Sequence, residues 1–154
     1  MNLSERLSPF SIFSTVHECA DELGLETYVV GGFVRDLLLK RPNKDIDFVA
    51  VGDGVGLATT VAKKLGDMVN VTIYKNFGTA AIKFEDFEFE FVGARKESYR
   101  QDSRKPVVAA GTLKEDQERR DFTINAMAIS LNSDRYGELV DPFEGTKDLK
   151  RKML

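Results

Sequence analysis

The apolar and polar positions divide the chain into helical and extended stretches. Phe13, Val16, Ala20 and Leu23 recur at helical spacing, which predicts a helix from Ser8 or Ser11 to about Leu23 with this stripe buried. Gly24 is placed to stop it. Residues 1–8 are polar and predict a loosely held segment. An apolar strand is expected over 27–31, then a short helix over about 32–40 that Pro42 keeps from continuing. A second apolar strand follows over 45–51. Asp53 is placed to cap a helix over about 55–66, whose Val55, Ala58, Val61, Ala62 and Leu65 share one face. Strands are expected over 68–74 and 78–84, joined through Lys75-Asn76-Phe77-Gly78. In a further strand over 87–93 the alternation is strict, with Phe87, Phe89 and Phe91 on one face and Glu88 and Glu90 on the other.

The pattern then fades. From Arg95 to about Thr112 the chain is charged and lacks apolar periodicity, which predicts a mobile surface loop. Its basic residues are candidates for RNA contact and equally for simple solvation. Residues 113–125 read as helical, with Leu113 and Ile124 inward and Phe122 a candidate to join them. On such a helix Arg119 and Arg120 would point about 100° apart and seldom serve one site, so the plain reading is a salt-bridged surface helix. Strands are expected over 126–131 and 138–140, and a final helix over 147–154. Its abrupt stop, with no polar tail, predicts a chain cut from a longer one. His17 and Cys19 have no ligand or catalytic partner nearby in sequence, and ordinary packing or surface roles are expected of both.

Composition narrows the picture. With 154 residues, 42% hydrophobic and 31% charged, the chain is long enough for one domain with a real core. No repeat, low-complexity tract or linker divides it. The formal net charge of −3 does not mark a nucleic-acid binder, so any such contact must come from local patches. The single cysteine excludes an internal disulfide and a cysteine-based zinc site. No apolar run resembles a signal peptide or a membrane span, which makes the cytoplasm the expected location.

The chemistry concentrates in one stretch. An apolar strand runs into Gly31-Gly32, a helix opens at once, and Asp45-Ile46-Asp47 follows after twelve intervening residues. Glycines at a strand-to-helix turn let the backbone approach a ligand, and a helix start there suits a phosphate. In a strand Asp45 and Asp47 point to one face, where two carboxylates repel unless a cation lies between them. Carboxylate oxygens suit Mg²⁺, which commonly binds through one or two of them together with substrate phosphates. No Gly-Lys-Ser/Thr follows the glycines and no G-x-G-x-x-G is present, which excludes a Walker loop and a dinucleotide fingerprint. Glu88 and Glu90 read as a solvated face, unless their strand lies beside 45–51, when Glu90 would complete a three-carboxylate site.

Three motifs together carry a resemblance: Gly31-Gly32-x-Val34-Arg35-Asp36-x-Leu38, Asp45-x-Asp47, and Arg119-Arg120-Asp121-Phe122-Thr123-Ile124-Asn125-Ala126-Met127-Ala128. With Asp141-Pro142-Phe143-x-Gly145 and the closing basic helix, the chain resembles the head domain of class II tRNA nucleotidyltransferases, the CCA-adding enzymes, with bacterial poly(A) polymerase as close kin. The likeness covers about residues 25–154. It implies an α+β nucleotidyltransferase fold of the polymerase-β type, a small mixed sheet backed by helices with an exposed active face. It implies Asp45, Asp47 and Glu90 as catalytic ligands of two Mg²⁺ ions, with Mn²⁺ as a substitute. Gly31 and Gly32 would meet the triphosphate. Arg35 and Arg120 match nucleotide-binding positions, and Asp121 and Asn125 would help place the sugar. The family often has Gly-Ser where this chain has Gly31-Gly32, so a hydroxyl contact is lost while backbone N–H groups remain.

The implied reaction is template-independent transfer of NMP from CTP or ATP to the 3′-hydroxyl of tRNA, by in-line attack with loss of pyrophosphate. The resemblance places base selection in a neck domain, and further tRNA contacts in body and tail domains, none of them in this chain; it gives no protein partner and no membrane. A head alone would then be weakly active or inactive. The alternatives are the head of a poly(A) polymerase or of an enzyme adding only part of CCA, and a non-catalytic nucleotide- or RNA-binding module.

Overall fold

The computed structural model describes residues 1–99, 106–120 and 122–152, with only the backbone of 96–99, 106–110 and 152. Two helices, α1 (Ser4–Leu7) and α2 (Ser11–Leu23), precede strand β1 (Glu26–Val30) and helix α3 (Gly32–Leu38). Strand β2 (Asp45–Val51) and helix α4 (Gly54–Leu65) follow, then β3 (Val71–Tyr74), β4 (Thr79–Phe84) and β5 (Phe87–Gly93). Beyond them come β6 (Arg95–Tyr99), β7 (Pro106–Ala110), α5 (Leu113–Glu118), β8 (Ala128–Ser130), β9 (Leu139–Val140) and α6 (Gly145–Lys152). Single 3₁₀ turns occupy Lys75–Phe77 and Thr123–Asn125.

Seven strands form one mixed sheet in the order β3-β4-β5-β2-β1-β8-β9, and β6 and β7 form a separate hairpin. β2 and β5 are parallel, and the other pairs are antiparallel. One face of the sheet carries Ile46, Phe48, Ile82, Phe89 and Phe91 into the main core, which also takes Phe13 and Val16 of α2 and Leu57 and Val61 of α4. Phe48 stacks on Phe91 with ring centroids 4.8 Å apart, and both are fully buried. Each such ring contributes about 1.5–3 kcal/mol through burial. On the opposite face a smaller cluster of Tyr28, Val30, Val49, Ala94, Leu113 and Ala128 covers part of the sheet and leaves the rest open. Among the described residues no helix is long and apolar enough to cross a membrane.

Local chemistry sets the boundaries. Asp53 caps α4 by accepting from Gly56 N at 2.9 Å. Gly24 ends α2 in the left-handed region at φ 65°, where only glycine fits without strain. Thr112 and Glu115 form a reciprocal capping box that starts α5.

Several expectations are corrected. Residues 1–8 are not loosely held: Leu3 and Leu7 are buried in the core, and Leu3 N donates to Gly137 O at 2.6 Å. Leu23 leaves its stripe and is 45% exposed, because the helix ends there and turns away at Gly24. The expected loop after Arg95 contains the β6–β7 hairpin, with Arg95 opposite Ala110 and Tyr99 opposite Pro106. A two-stranded ribbon is held by its backbone ladder, so it needs no apolar period on its charged strand. Residues 100–105, part of that stretch, lie outside the described residues. The helix expected over 113–125 stops at Glu118, and Phe122 is exposed. His17 packs edge-to-face on Tyr136 with its Nδ1 2.6 Å from Leu131 O, and Cys19 is fully buried, so both have packing roles.

Candidate active site

The open part of the sheet gathers the predicted acids. Asp45 and Asp47 share one face of β2, and the parallel register sets Asp45 beside Glu88 and Asp47 beside Glu90. Sequence reasoning left Glu90 conditional on this neighbour, and β5 does lie beside β2. Asp45 and Glu90 are exposed and Asp47 is partly buried. Burial, then the charge of Glu90, pushes the Asp47 carboxyl up to about 6, while Arg120 pulls the other way. Among the described residues none of these three carboxylates forms an ion pair, and no group of three His, Cys, Asp or Glu side chains is gathered tightly enough to enclose a metal. An acid row that forms no ion pair fits a divalent cation that takes one or two carboxylates and completes its shell with substrate phosphate.

The glycine turn lies against this row. Gly31 adopts φ 75°, a conformation that strains any side chain. A Cβ built on it would lie 3.8 Å from both Asp47 Oδ2 and Arg120 Nη1, and 3.9 Å from Asn125 O. The first turn of α3 has no side-chain cap. Its leading N–H groups therefore have no partner within the helix. Arg35, one turn into α3, donates to Asn125 Oδ1 at 3.2 Å. Gly31, Gly32, Arg35, Arg120 and Asn125 thus form one rim along the β1 side of Asp47. Asp121 lies outside the described residues.

Two buried aspartates hold this rim, and sequence reasoning gave neither a role. Asp36 accepts from Arg35 Nε at 3.1 Å and from Asn43 Nδ2 at 2.7 Å, and Asn43 Oδ1 in turn accepts from Asp45 N at 2.8 Å. Burial works against the charge of Asp36, but the Arg35 and Asn43 hydrogen bonds outweigh it and hold the carboxyl below its usual range. Asp116, fully buried, accepts from Arg119 Nη2 and Arg120 Nη2, each at 3.1 Å, and from Arg95 N at 3.0 Å. This corrects the reading of the two arginines as a surface pair pointing apart. At the end of α5 both long side chains reach back one turn, and both guanidinium groups close on one carboxylate. The signal available in sequence was spacing, since Asp116 stands three and four residues before the arginines.

The poly A polymerase head domain matches residues 27–154. The chain belongs to that family. It is 48% identical over 130 residues to an A-adding tRNA nucleotidyltransferase of Aquifex aeolicus, covering 84% of this chain and 16% of that protein. It is 39% identical over 141 residues to a CCA-adding enzyme of Lactobacillus delbrueckii subsp. bulgaricus, covering 90% and 33% respectively. A solved tRNA nucleotidyltransferase, complexed with a primer tRNA and an incoming ATP analog, superposes with a TM-score of 0.74 at 44% identity. That match covers 88% of this head domain and 36% of the solved chain. The head domain therefore spans between about a sixth and about a third of these relatives. The expected mixed α+β nucleotidyltransferase fold is borne out by the seven-stranded sheet and by this superposition.

Proposed function

We propose that this domain is the catalytic head of a cytoplasmic enzyme that transfers a nucleotide from CTP or ATP to the 3′-hydroxyl of tRNA with release of pyrophosphate. The observation that carries the reading is the closeness of the Gly31 turn to Asp47, where an added Cβ would lie 3.8 Å from Oδ2, with Asp47 itself paired in register with Glu90. A triphosphate cradle beside unneutralised carboxylates is what phosphoryl transfer requires, since that chemistry depends mainly on position and charge neutralisation. Gly31 and Gly32 would admit the triphosphate to backbone N–H groups, and Arg35 and Arg120 would pair with its oxygens. Asn125, bonded to Arg35, and Asp121 would help place the sugar. Asp45, Asp47 and Glu90 would hold Mg²⁺, as two ions, with Mn²⁺ as a substitute. When bound, such cations lower the pKa of the attacking hydroxyl and neutralise the leaving phosphates.

The test is incorporation of labelled CTP or ATP into tRNA lacking its 3′ end, by the domain and by the longer protein that contains it. Asp45→Ala and Asp47→Ala should abolish incorporation in a folded protein, and near-normal turnover in either would refute the assignment. The isolated domain should bind Mg²⁺–NTP weakly with little base preference, because the groups that choose the base would lie in a neck domain outside it. Robust CCA synthesis by the domain alone would refute that part.

A narrower reading, addition of the terminal A alone, is favoured by the higher identity to an A-adding relative, 48% against 39% to a CCA-adding one. Acceptors ending before and after CC separate the two.

A further inference from the structure

Beyond Glu90, on the side of the acid row away from the glycine rim, the sheet continues through β4 to the edge strand β3. The register runs from Asp47 to Glu90 and on to Ala81 and Thr72. Over this part of the sheet a cavity of about 350 Å³ opens, lined by Tyr74, Phe77, Thr79, Ala81, Glu90 and Arg95. Ala81 is small and leaves a floor. Tyr74 is 50% and Phe77 61% exposed, so two aromatic rings stand in water at the cavity's edge. The backbone beneath them is fastened. Arg95 Nη2 donates to the Phe77 carbonyl and, at 2.7 Å, to Thr79 Oγ1, and Gly78 closes the turn at φ 61°.

In-line transfer places the attacking and leaving oxygens on opposite sides of the reacting phosphorus. If the triphosphate lies along Gly31, Gly32 and Arg120, on the β1 side of Asp47, the attacking strand must come from the β5 side. That is where the cavity lies, about two strand spacings or about 10 Å from Asp47. Its chemistry selects a base over a phosphate. Glu88 and Glu90 repel phosphate, and the Arg95 guanidinium is already engaged by the turn. What remains on offer is aromatic surface, on which any base stacks.

We propose that this cavity takes the 3′-terminal nucleotide of the RNA acceptor, with Tyr74 and Phe77 stacking on its base; the proposal rests on the nucleotidyl-transfer reading above. The experiment uses the natural full-length protein carrying this domain, with Tyr74→Ala/Phe77→Ala as the perturbation and Phe77→Tyr as the conservative control. KM for tRNA lacking its terminal A should rise between about fivefold and about a hundredfold in the double variant, the range for loss of base stacking. KM for ATP should stay within about twofold, and Phe77→Tyr should stay near wild type. A 2-aminopurine at the acceptor's 3′ end should lose fluorescence on binding wild type and keep it with the double variant.

An active wild type with unchanged acceptor KM and unchanged quenching in the double variant overturns this inference alone. So does a rise in ATP KM in place of acceptor KM. A large fall in thermal midpoint with unchanged acceptor KM also overturns it, because the rings would then bury against another part of the protein. A wild type that incorporates no nucleotide overturns the transfer reading and this inference with it.

Discussion

Asp47→Asn should make the metal-free domain more stable while abolishing transfer. The Asp47 carboxyl is pushed from an ordinary 3.8 up to about 6, first by burial and then by Glu90. Its folded-state pKa therefore lies above its unfolded one. The stability this proton provides is fully present below pH 3.8 and is lost as pH rises through about 6. At about 1.4 kcal/mol for each pH unit, the charged form costs the folded domain about 3 kcal/mol above that range. Asparagine removes the charge, but its amide still needs partners, so the net gain is smaller, about 1–2 kcal/mol. For a domain of this size that raises the thermal midpoint by about 2–8 °C. The assay is thermal unfolding of wild type and variant with EDTA, at pH 8 and at pH 3.5. The gain should appear at pH 8 and vanish at pH 3.5. Mg²⁺ at pH 8 should raise the wild-type midpoint, since a ligand of the folded state stabilises it, and should do so much less in the variant. A variant less stable than wild type at pH 8, or one shifted equally at both pH values, would refute the electrostatic account.

Other perturbations separate packing from chemistry. Asp116→Asn removes the buried charge and puts a donor where one carboxylate oxygen faces a guanidinium, and should cost about 3 kcal/mol, the low end for such pairs because both arginines keep some solvent contact. It should also raise KM for NTP through Arg120, and in an Arg120→Ala background that KM effect should disappear. Gly31→Ala meets no steric clash, its nearest neighbours being 3.8 Å away, but forces alanine to φ 75°. With ψ at −140° the position lies outside the left-handed helical region, so the change should cost about 1–3 kcal/mol by denaturant unfolding. Phe48→Ala, on the core face of the strand that carries Asp45 and Asp47, should cost about 3–5 kcal/mol and change KM far less than stability in whatever fraction folds.

Periodicity carried most of the fold. β2 and β5 begin and end where alternation placed them, and α4 starts one residue from its expected position. These elements bury one face of strong apolar pattern, and sequence alone shows that face. The hairpin was not visible because β6 and β7 differ in composition, one charged and one apolar, and are joined by ladder bonds that leave no side-chain period. The early stop of α5 was not visible either. Continuing helix past Glu118 was the natural reading of the residues, but the last turn tightens there, with Arg120 N bonding Gln117 O, and both arginines reach back to Asp116.

Sequence reasoning named acids, glycines and arginines that the structure brings to one face, but not what holds them there. The sequence singled out Asp45 and Asp47 as cation ligands and gave Asp36 and Asp116 no role, which only their surroundings supply. Asp36 and Asp116 are buried and answered by guanidinium groups and amides, so their charge is used up in holding Arg35 and Arg120 at the rim. Asp45 and Asp47 face an open sheet beside further glutamates, with no guanidinium bonded to them. The two kinds of acid depend on each other. An arginine not restrained by Asp116 could swing to Asp47 and neutralise it, which would forfeit the negative field a cation needs. Holding each guanidinium on a buried acid keeps it off the open-face carboxylates and at the glycine rim. The prediction from this is specific. In an Asp116→Ala variant the freed Arg120 should pair with Asp47 and lower its pKa, so the wild-type loss of stability between pH 3.8 and about 6 should shrink. A pH profile unchanged by Asp116→Ala would mean that Arg120 is held in place by something other than this carboxylate.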